Sequence, residues 1–415
     1  MTKPSNLLPW DAPPDLQGYH GGDLLGIVEH LDHLSDLGIN ALYLTPIFQS
    51  ACNHRYHTHD YYQVDPLLGG NAALRELVDA AHARNIRVVL DGVFNHCSRG
   101  FFQFNDILEN GPHSPWLDWF YIDAWPLSAY DGRHPANYRG WVDNRALPKF
   151  NTDNPQVREF LMQVGEFWLR EYDIDGWRLD VPTEITTDGF WEEFRERVRN
   201  VKPDAYLVGE IWHDAPDWLG GRRFDATMNY VFAAAAIAFA GGDRVSRNLV
   251  DDRSYDPWPG IDAVQFGERI EKLLATYEWE TTLVQLNLLG SHDAPRVLSI
   301  ARGDKDSLRL ATFLQMTFPG APCIYYGDEI ALRGTKRYDR PHRDQDARFP
   351  FPWHDTSQWD IDTLEFCRNV IALRHQHPAL RHGRFEQAYA QDQQIAFWRI
   401  SESETLLVVV NAGDE

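Results

Sequence analysis

The sequence contains few cysteines and no long apolar segment. Its four cysteines, Cys52, Cys97, Cys323 and Cys367, are scattered and show none of the close spacings of a zinc site or a redox motif. Free thiols are the simplest interpretation, and they favour a reducing, cytoplasmic compartment. No run of about 20 apolar residues is present, which excludes an ordinary transmembrane helix.

Basic residues are also few: the chain has 39 Lys and Arg but 61 Asp and Glu, which gives a formal net charge of −22. Phosphate binding needs clustered Lys and Arg, so nucleic acid and anionic membranes are disfavoured as partners. What the chain has in abundance is 15 Trp and 17 Tyr. Their flat faces suit the apolar faces of sugar rings, although large α/β enzymes also use aromatic residues for packing alone.

Helical and strand patterns alternate from residue 24 onward. Helical periodicity occurs at 24–37, 72–84, 155–172 and 190–201. Apolar strands are predicted at 39–44, 86–90, 174–179, 205–208, 224–228, 283–288 and 322–326. This alternation predicts an α/β fold, a (β/α)8 TIM barrel with a parallel sheet closed by crossover helices.

Two segments depart from the alternation. Residues 97–150 are rich in Trp, Tyr, Pro, Asp and Asn, which predicts a loop subdomain inserted after the third strand. A helix at 361–375 and strands at 395–399 and 406–410 predict a C-terminal antiparallel β domain. The predicted division is the first part of the catalytic barrel at 1–96 with a lead segment at 1–23, the inserted subdomain at 97–150, the remaining barrel at 151–353 and the β domain at 354–415.

The predicted strands number seven, whereas a closed barrel of this type needs eight. No strand-like run precedes residue 24. We therefore expect the first barrel strand, and the end of the C-terminal domain, to be missing from this chain.

Four of the predicted strands are followed by an acid: Asp91, Asp180, Glu210 and Asp293. The carboxyl ends of parallel barrel strands meet at one rim, so these acids are expected to converge. A single acid at a strand end is often a cap or turn residue, but four beside Arg, His and Asn favour a functional site. A metal site is the alternative, although the sequence lacks H-E-x-x-H and paired histidines at ligand spacing.

Glycoside hydrolysis accounts for this set of acids. One carboxylate must attack the sugar and another must protonate the leaving oxygen. Arg178, two residues before Asp180, faces the same side of its strand and is expected to keep Asp180 ionised as a nucleophile. Glu210 must hold a proton instead, which nearby carboxylates and the aromatic Trp212 would favour.

Six segments resemble those of glycoside hydrolase family 13, the α-amylase family. They are INALYLTPIF (39–48), DGVFNH (91–96), GWRLDV (176–181), GEIW (209–212), GSHD (290–293) and GAPCIYYGDEI (320–330). The resemblance covers nearly the whole chain and implies that Asp180 is the nucleophile, Glu210 the acid/base and Asp293 the transition-state stabiliser. It also implies that Arg178, His96 and His292 support these three acids. Asp91 and Asn95 would be mainly structural.

Finer matches resemble the cyclomaltodextrinase, neopullulanase and maltogenic amylase group. LPKFN (147–151) is similar to that group's M-P-K-L-N, and NHRYHTHDYY (53–62) to its N-H-K-Y-D-T-x-D-Y. The resemblance implies that Tyr56 stacks on the sugar at the cleavage site, that His54 binds a hydroxyl and that Trp212 is an acceptor-side platform. Core packing is the alternative for Tyr56 and Trp212. The two residues that the resemblance places on the glycone side are Asp344 and Arg348.

Departures from the group leave several properties open. Val181-Pro182-Thr183-Glu184 stands where the group has V-A-N-E, so the balance of hydrolysis and transglycosylation is open. The group's calcium loop is reduced to GGD at 21–23, so we expect no required cofactor and no metal ligand, with calcium binding left open.

The resemblance implies a retaining hydrolase of α-1,4 bonds in cyclodextrins, pullulan and short maltodextrins, with cleavage of α-1,6 bonds left open. Its expected partner is an oligosaccharide or cyclodextrin substrate. The alternatives are an α-glucosidase, a sucrose- or maltose-acting transglycosylase, and a non-catalytic sugar-binding relative. The last is disfavoured because such relatives lose catalytic acids, and this chain keeps all three. The oligomeric state is left open.

Overall fold

The computed structural model describes residues 6–15, 17–250, 259–335 and 346–413. The strands are β1 (Ala41–Tyr43), β2 (Phe48–Ser50), β3 (Thr58–Val64), β4 (Arg87–Gly92), β5 (Gly176–Leu179), β6 (Tyr206–Gly209), β7 (Ala226–Thr227), β8 (Leu286–Leu288), β9 (Ala321–Cys323), β10 (Arg384–Gln391), β11 (Gln394–Ile400) and β12 (Thr405–Asn411). The helices are α1 (Leu24–Glu29), α2 (Leu31–Leu37), α3 (Gly70–His82), α4 (Phe102–Asn110), α5 (Pro155–Tyr172), α6 (Phe190–Val201), α7 (Tyr230–Gly241), α8 (Arg247–Val250), α9 (Ala263–Thr276), α10 (Trp279–Thr282), α11 (Val297–Ile300), α12 (Lys305–Thr317), α13 (Ile361–Gln376) and α14 (Pro378–His382).

The parallel strands follow one another in chain order. One sheet has the order β1-β4-β5-β6-β7, and β8 pairs in parallel with β9. A parallel bridge between Met228 and Leu286 joins the two sheets. The seven predicted strands are therefore found, and the predicted TIM-barrel class is confirmed. In the described residues ahead of α1, the backbone pairing is a single parallel bridge between Leu8 and His20.

Local sequence explains the helix ends beside the site. Pro155 begins α5, a position where the backbone N–H that proline lacks has no partner within the helix. Asn154 caps the helix by accepting a hydrogen bond from the Gln156 N–H. The helix ends at Asp173, whose φ is +56°. Both α5 and α6 have the predicted bounds, because each carries a continuous apolar stripe that packs on the sheet.

The predicted helix at 24–37 is wrong in one respect, because it is two helices that break at His30. The Nδ1 atom of His30 lies 2.9 Å from the Gly26 carbonyl oxygen, and its ring packs against Trp353 with centroids 3.8 Å apart. Gly38 ends α2 with a φ of +90°, a conformation that glycine adopts without strain.

The segment 97–150 contains α4 and short 3₁₀ turns. An antiparallel bridge from His96 to Lys149, and the Phe150 N–H donating to the Asn95 carbonyl at 3.1 Å, tie it to the rim beside β4. At the other end of the chain, β10, β11 and β12 form an antiparallel sheet, of which β10 was not predicted. The helix α13 packs against α12 and α2, on the barrel side. The predicted domain boundaries stay predictions.

Candidate active site

The strand register places the predicted site residues side by side. Asp91 on β4 is paired with Arg178 on β5. Just beyond the strands, the Asp180 N–H donates to the Gly92 carbonyl at 3.1 Å, and the Glu210 N–H donates to the Leu179 carbonyl at 2.9 Å. The parallel ladder thus continues to the catalytic positions, and three acids emerge at one rim as predicted.

Arg178 is the hub of this rim, and its side chain is fully buried. Its Nη1 contacts both carboxylate oxygens of Asp91 at 3.0 Å and Oδ1 of Asp180 at 3.0 Å. Its Nη2 forms an ion pair with Oε2 of Glu210 at 3.0 Å. Asp180 and Glu210 thus lie on one guanidinium group, which brings their carboxyl groups close together. Retaining glycosidases hold their two carboxyl groups roughly 5 Å apart.

One arginine faces three buried carboxylates in this cluster. Burial first, and then the charge of Glu210, raise the pKa of Asp180 well above its usual range, although Arg178 acts in the opposite direction. Burial likewise raises the pKa of Asp91 against the pull of Arg178. Arg178 thus favours the ionised form of Asp180, as predicted, but burial and the charge of Glu210 outweigh it, so that the net direction of the Asp180 pKa is upward.

Glu210 accepts from two further donors. The Val181 N–H donates to its Oε2 at 3.1 Å, and Trp212 Nε1 donates to its Oε1 at 3.2 Å. Val181 has a φ of +35°, which is strained for a β-branched residue. Trp212 is stacked on Tyr230, with ring centroids 3.4 Å apart and planes 8° from parallel. The carboxyl group of Glu210 is thus held in one place, and its predicted proton stays a prediction.

Asp293 is held from two sides and remains partly exposed. Nε2 of His292 lies 3.0 Å from its Oδ2, and Nη2 of Arg348 donates to its Oδ1 at 3.1 Å. Arg348 also donates through Nε to the His292 carbonyl at 2.9 Å. The structure thus places Arg348, which the sequence could assign only by resemblance, on the predicted acid Asp293. The predicted Asp344 lies outside the described residues.

Tyr56 links the two halves of the rim. Its hydroxyl donates to Oδ2 of Asp91 at 2.9 Å and lies 2.7 Å from Nε2 of His292. The Tyr56 and His292 rings are stacked, with centroids 5.5 Å apart. Because Asp91 binds Arg178 and His292 contacts Asp293, one contiguous network joins all the predicted catalytic acids.

One half-buried histidine, His54, and one buried histidine, His96, border this network. Burial lowers the pKa of His54 to about 3, and its Nδ1 accepts from the Tyr56 backbone N–H at 3.2 Å. Burial also lowers the pKa of His96 to about 3. Nε2 of His96 has no hydrogen-bond partner in the described part of the chain, and its ring stacks on Trp141. A buried polar atom without a partner is suited to a ligand hydroxyl.

Several neighbours were not predicted as site residues. The Tyr43 hydroxyl donates to Asp91 at 3.2 Å, and Nε of Arg178 contacts the sulfur of Met228 at 3.4 Å. Lys149 donates through Nζ to Oδ1 of Asn95 and to the Glu184 carbonyl, each at 2.6 Å. Lys149 lies in the LPKFN segment, so that match could have identified it. Tyr43, Met228 and Tyr230 carry no local signal.

A cavity of about 390 Å³ opens beside Glu210. Its size is in the range of small-ligand sites. The lining residues are Trp141, Val142, Val181, Thr183, Glu184, Glu210, Ile211, Trp212 and His213.

The clustered acids, their buried arginine and the adjoining cavity define an enzyme of the glycoside hydrolase class. The alpha-amylase catalytic-domain family matches residues 11–363. The chain therefore belongs to the α-amylase family. The predicted group within it is confirmed, because relatives named cyclomaltodextrinase, neopullulanase and maltogenic amylase are 37% to 43% identical over nearly the whole chain.

Three similar proteins illustrate the relationship. A cyclomaltodextrinase of a Bacillus species is 43% identical over 411 residues, covering 98% of this chain and 69% of that protein. The debranching enzyme of Nostoc punctiforme is 56% identical with a TM-score of 0.90, covering 96% of this chain and 80% of that one. A cyclic α-maltosyl-(1→6)-maltose hydrolase of Arthrobacter globiformis, in complex with that sugar, is 36% identical with a TM-score of 0.88, covering 99% and 86%. This chain spans about two thirds of the length of the curated relatives.

In the described part of the chain, no helix is long and apolar enough to span a bilayer.

Proposed function

We propose that this chain carries a retaining α-glucan hydrolase activity that cleaves α-1,4 and α-1,6 glucosidic bonds in cyclodextrins, pullulan and short maltodextrins. The observation that carries the proposal is the buried Arg178 that holds Asp180 and Glu210 by its two terminal nitrogens at 3.0 Å each. Double displacement needs two close carboxyl groups of different protonation.

The reaction assigns one role to each acid. Asp180 attacks the anomeric carbon while Glu210 gives its proton to the leaving oxygen, which forms a covalent glycosyl-enzyme. Glu210 then takes a proton from water, and that water releases the sugar from Asp180. Asp293, fixed by His292 and Arg348, binds hydroxyls of the ring and stabilises the oxocarbenium-like transition state.

The charges of the cluster bear on these roles. Asp180 must be ionised to attack, and Arg178 is the group that favours its charged form against burial and the charge of Glu210, which raise its pKa. A positively charged transition state restores balance to a cluster with excess negative charge, so its stabilisation is electrostatic. Asp91 forms an ion pair with Arg178 at 3.0 Å and contributes part of the negative charge of the cluster.

The substrate range is proposed from the relatives and from the cavity. The relatives' names include a cyclodextrin-acting enzyme, a debranching enzyme and a hydrolase of a cyclic (1→6)-linked sugar. The cavity beside Glu210 is bordered by Trp141 and Trp212, which offer flat faces to the leaving sugar. When an acceptor sugar occupies this cavity instead of water, the same intermediate gives transglycosylation.

The reaction needs no cofactor, because carboxyl groups supply both the nucleophile and the proton. The reduced calcium loop leaves calcium binding a proposal to test by thermal denaturation with and without chelator. Asp23 accepts from the Gly26 N–H at 2.9 Å and caps α1. A cytoplasmic location is proposed because all four cysteines are free thiols.

The test is a substrate panel with separated products. Purified protein is incubated with γ-cyclodextrin, pullulan, soluble starch, sucrose and a branched maltodextrin. Ring opening of γ-cyclodextrin and panose from pullulan are the expected results. Attack on the branched substrate alone would indicate a debranching enzyme, and glucose from sucrose alone would refute the proposal. Asp180→Asn is the control and is expected to lose turnover on every substrate.

A further inference from the structure

The hairpin loop between β2 and β3 is fixed by the hydroxyl group of Ser50 and by an ion pair of Arg55. Ser50 donates through Oγ to the His57 carbonyl at 2.7 Å and accepts from the Cys52 N–H at 3.2 Å. Arg55 turns the chain with a φ of +60° and is anchored by its ion pair with Asp65 at 2.9 Å. The loop conformation is therefore specified by the protein itself.

This loop brings together a thiol and two imidazoles. Cys52, His54 and His57 each present a ligand atom, and these atoms lie within 4.8 Å of one another. In the part of the chain that the structure describes, it is the one such group of three. Cys52 Sγ and His54 Nδ1 lie 3.6 Å apart. Ligand atoms around a tetrahedral Zn²⁺ are about 3.3 to 3.8 Å apart, given bonds of about 2.0 to 2.3 Å. One edge of the site thus already has the ligand spacing.

The imidazole of His54 presents a lone pair toward the thiol. Because the Tyr56 N–H donates to Nδ1 of His54, the lone pair of that ring is on the nitrogen nearest to Cys52. The thiol would lose its proton on binding and balance part of the metal's charge.

We propose that Cys52, His54 and His57 bind a thiophilic divalent cation such as Zn²⁺, and that this cation competes with the sugar for His54. A thiolate with two imidazoles selects Zn²⁺ over Mg²⁺ and Ca²⁺, and three protein ligands leave the fourth position to water. The competition rests on the proposed function, whereas the binding of the metal does not.

The coupling to the active site passes through Tyr56. When Nδ1 of His54 binds the metal, it releases the Tyr56 N–H, and the Tyr56 hydroxyl contacts both Asp91 and His292. Binding of the metal therefore disturbs the network that joins the two halves of the rim. Inhibition is the expected result, because the metal takes the Nδ1 atom whose hydrogen bond positions Tyr56 beside Asp91 and His292.

Cobalt(II) is the probe for binding, because a cysteine ligand gives an intense sulfur-to-cobalt absorption band. The wild-type chain is titrated with Co²⁺, and then with Zn²⁺ to displace it. One equivalent with the thiolate band is expected. Cys52→Ser should lose the band, and His57→Asn should weaken binding by about 100-fold or more. The exposed His113→Asn is the matched control and should bind as the wild type does.

The band's persistence in Cys52→Ser, or an equal loss in His113→Asn, would overturn the site. Circular dichroism of each metal-free variant checks that it is folded. A second arm measures γ-cyclodextrin hydrolysis with Zn²⁺ and then with chelator. Reversible inhibition in the wild type and resistance in Cys52→Ser are expected, and uninhibited hydrolysis by the zinc-loaded protein would refute the competition. Absence of turnover without metal would count against the proposed function instead.

Discussion

Asp180→Asn is expected to abolish turnover and yet to stabilise the fold. Asp180 has one favourable partner, Arg178 at 3.0 Å, and two buried carboxylates of like charge, Asp91 and Glu210. At an effective dielectric constant of about 20, a charge pair at about 4 Å is worth ~4 kcal/mol, and one at the roughly 5.5 Å typical of carboxyl pairs in retaining glycosidases is worth ~3 kcal/mol. One attraction and two repulsions leave a net destabilisation of roughly 2 kcal/mol, to which burial of the charge adds.

Asparagine keeps the shape and the acceptor oxygen for Arg178 but carries no charge. At a pH where Asp180 is ionised in the folded protein, we expect a rise in Tm of roughly 2 °C, measured by differential scanning calorimetry over a series of pH values. The raised pKa of Asp180 means that the folded state binds more protons, so wild-type stability falls as pH rises from about 3.9 through the folded-state pKa. The advantage of the variant should therefore vanish near pH 4 and grow as the pH rises through the folded-state pKa of Asp180. A destabilised variant, or a difference independent of pH, would refute the reasoning.

Asp175→Asn is the matched control at the opposite end of β5. Burial raises the pKa of Asp175, but hydrogen bonds from Lys202 and His82, each at 2.8 Å, outweigh it, so the pKa is lowered. Its contribution to stability is present above about pH 3.9 and is lost as the pH falls through the folded-state pKa. Its removal is therefore expected to destabilise the protein at pH 7 by about 2 to 4 kcal/mol, the opposite sign from Asp180→Asn.

Three further substitutions test the surroundings of the site. Tyr56→Phe removes the hydroxyl beside Asp91 and His292 but keeps the ring, so kcat should fall by roughly tenfold with KM little changed, and unchanged kcat would contradict the network. Trp212→Leu should lower the yield of transfer products several-fold relative to hydrolysis, as product separation would show; an unchanged ratio would exclude the acceptor platform. Arg296→Met breaks a buried ion pair and should cost about 3 to 5 kcal/mol in denaturant unfolding, whereas a neutral effect would show that the pair is dispensable.

The elements that the sequence predicts well are those with a local physical cause. The bounds of α5 follow from the Asn154 cap and the Pro155 start, and the buried strands β4 and β5 are continuous apolar runs. The strand β10 has many polar and exposed residues, so its own sequence does not indicate a strand. Its pairing with β11 is what makes it one. The break at His30 depends on Trp353, far along the chain, and no local pattern encodes it.

The same division holds within the site. The convergence of Asp180 and Glu210 follows from strand ends alone, since parallel strands share one rim. The contact between Tyr56 and His292 joins residues 236 positions apart, and only the folded barrel specifies it. The direction of the Asp180 pKa depends on how many carboxylates share Arg178, which is a property of the assembled cluster. The sequence did not reveal the candidate metal site, because one cysteine followed by two histidines matches none of the close spacings of a zinc site or a redox motif. The hairpin loop brings the three side chains together only in the folded protein.

The most direct test of the central claim is to trap the sugar on the enzyme. A fluorinated α-glucosyl fluoride that forms the covalent intermediate but releases it slowly is incubated with the protein, which is then digested and analysed by mass spectrometry. The account predicts one added sugar on the peptide that contains Asp180, and none in Asp180→Asn. A sugar on another residue, or a turned-over substrate with inverted anomeric configuration and no trapped intermediate, would contradict it.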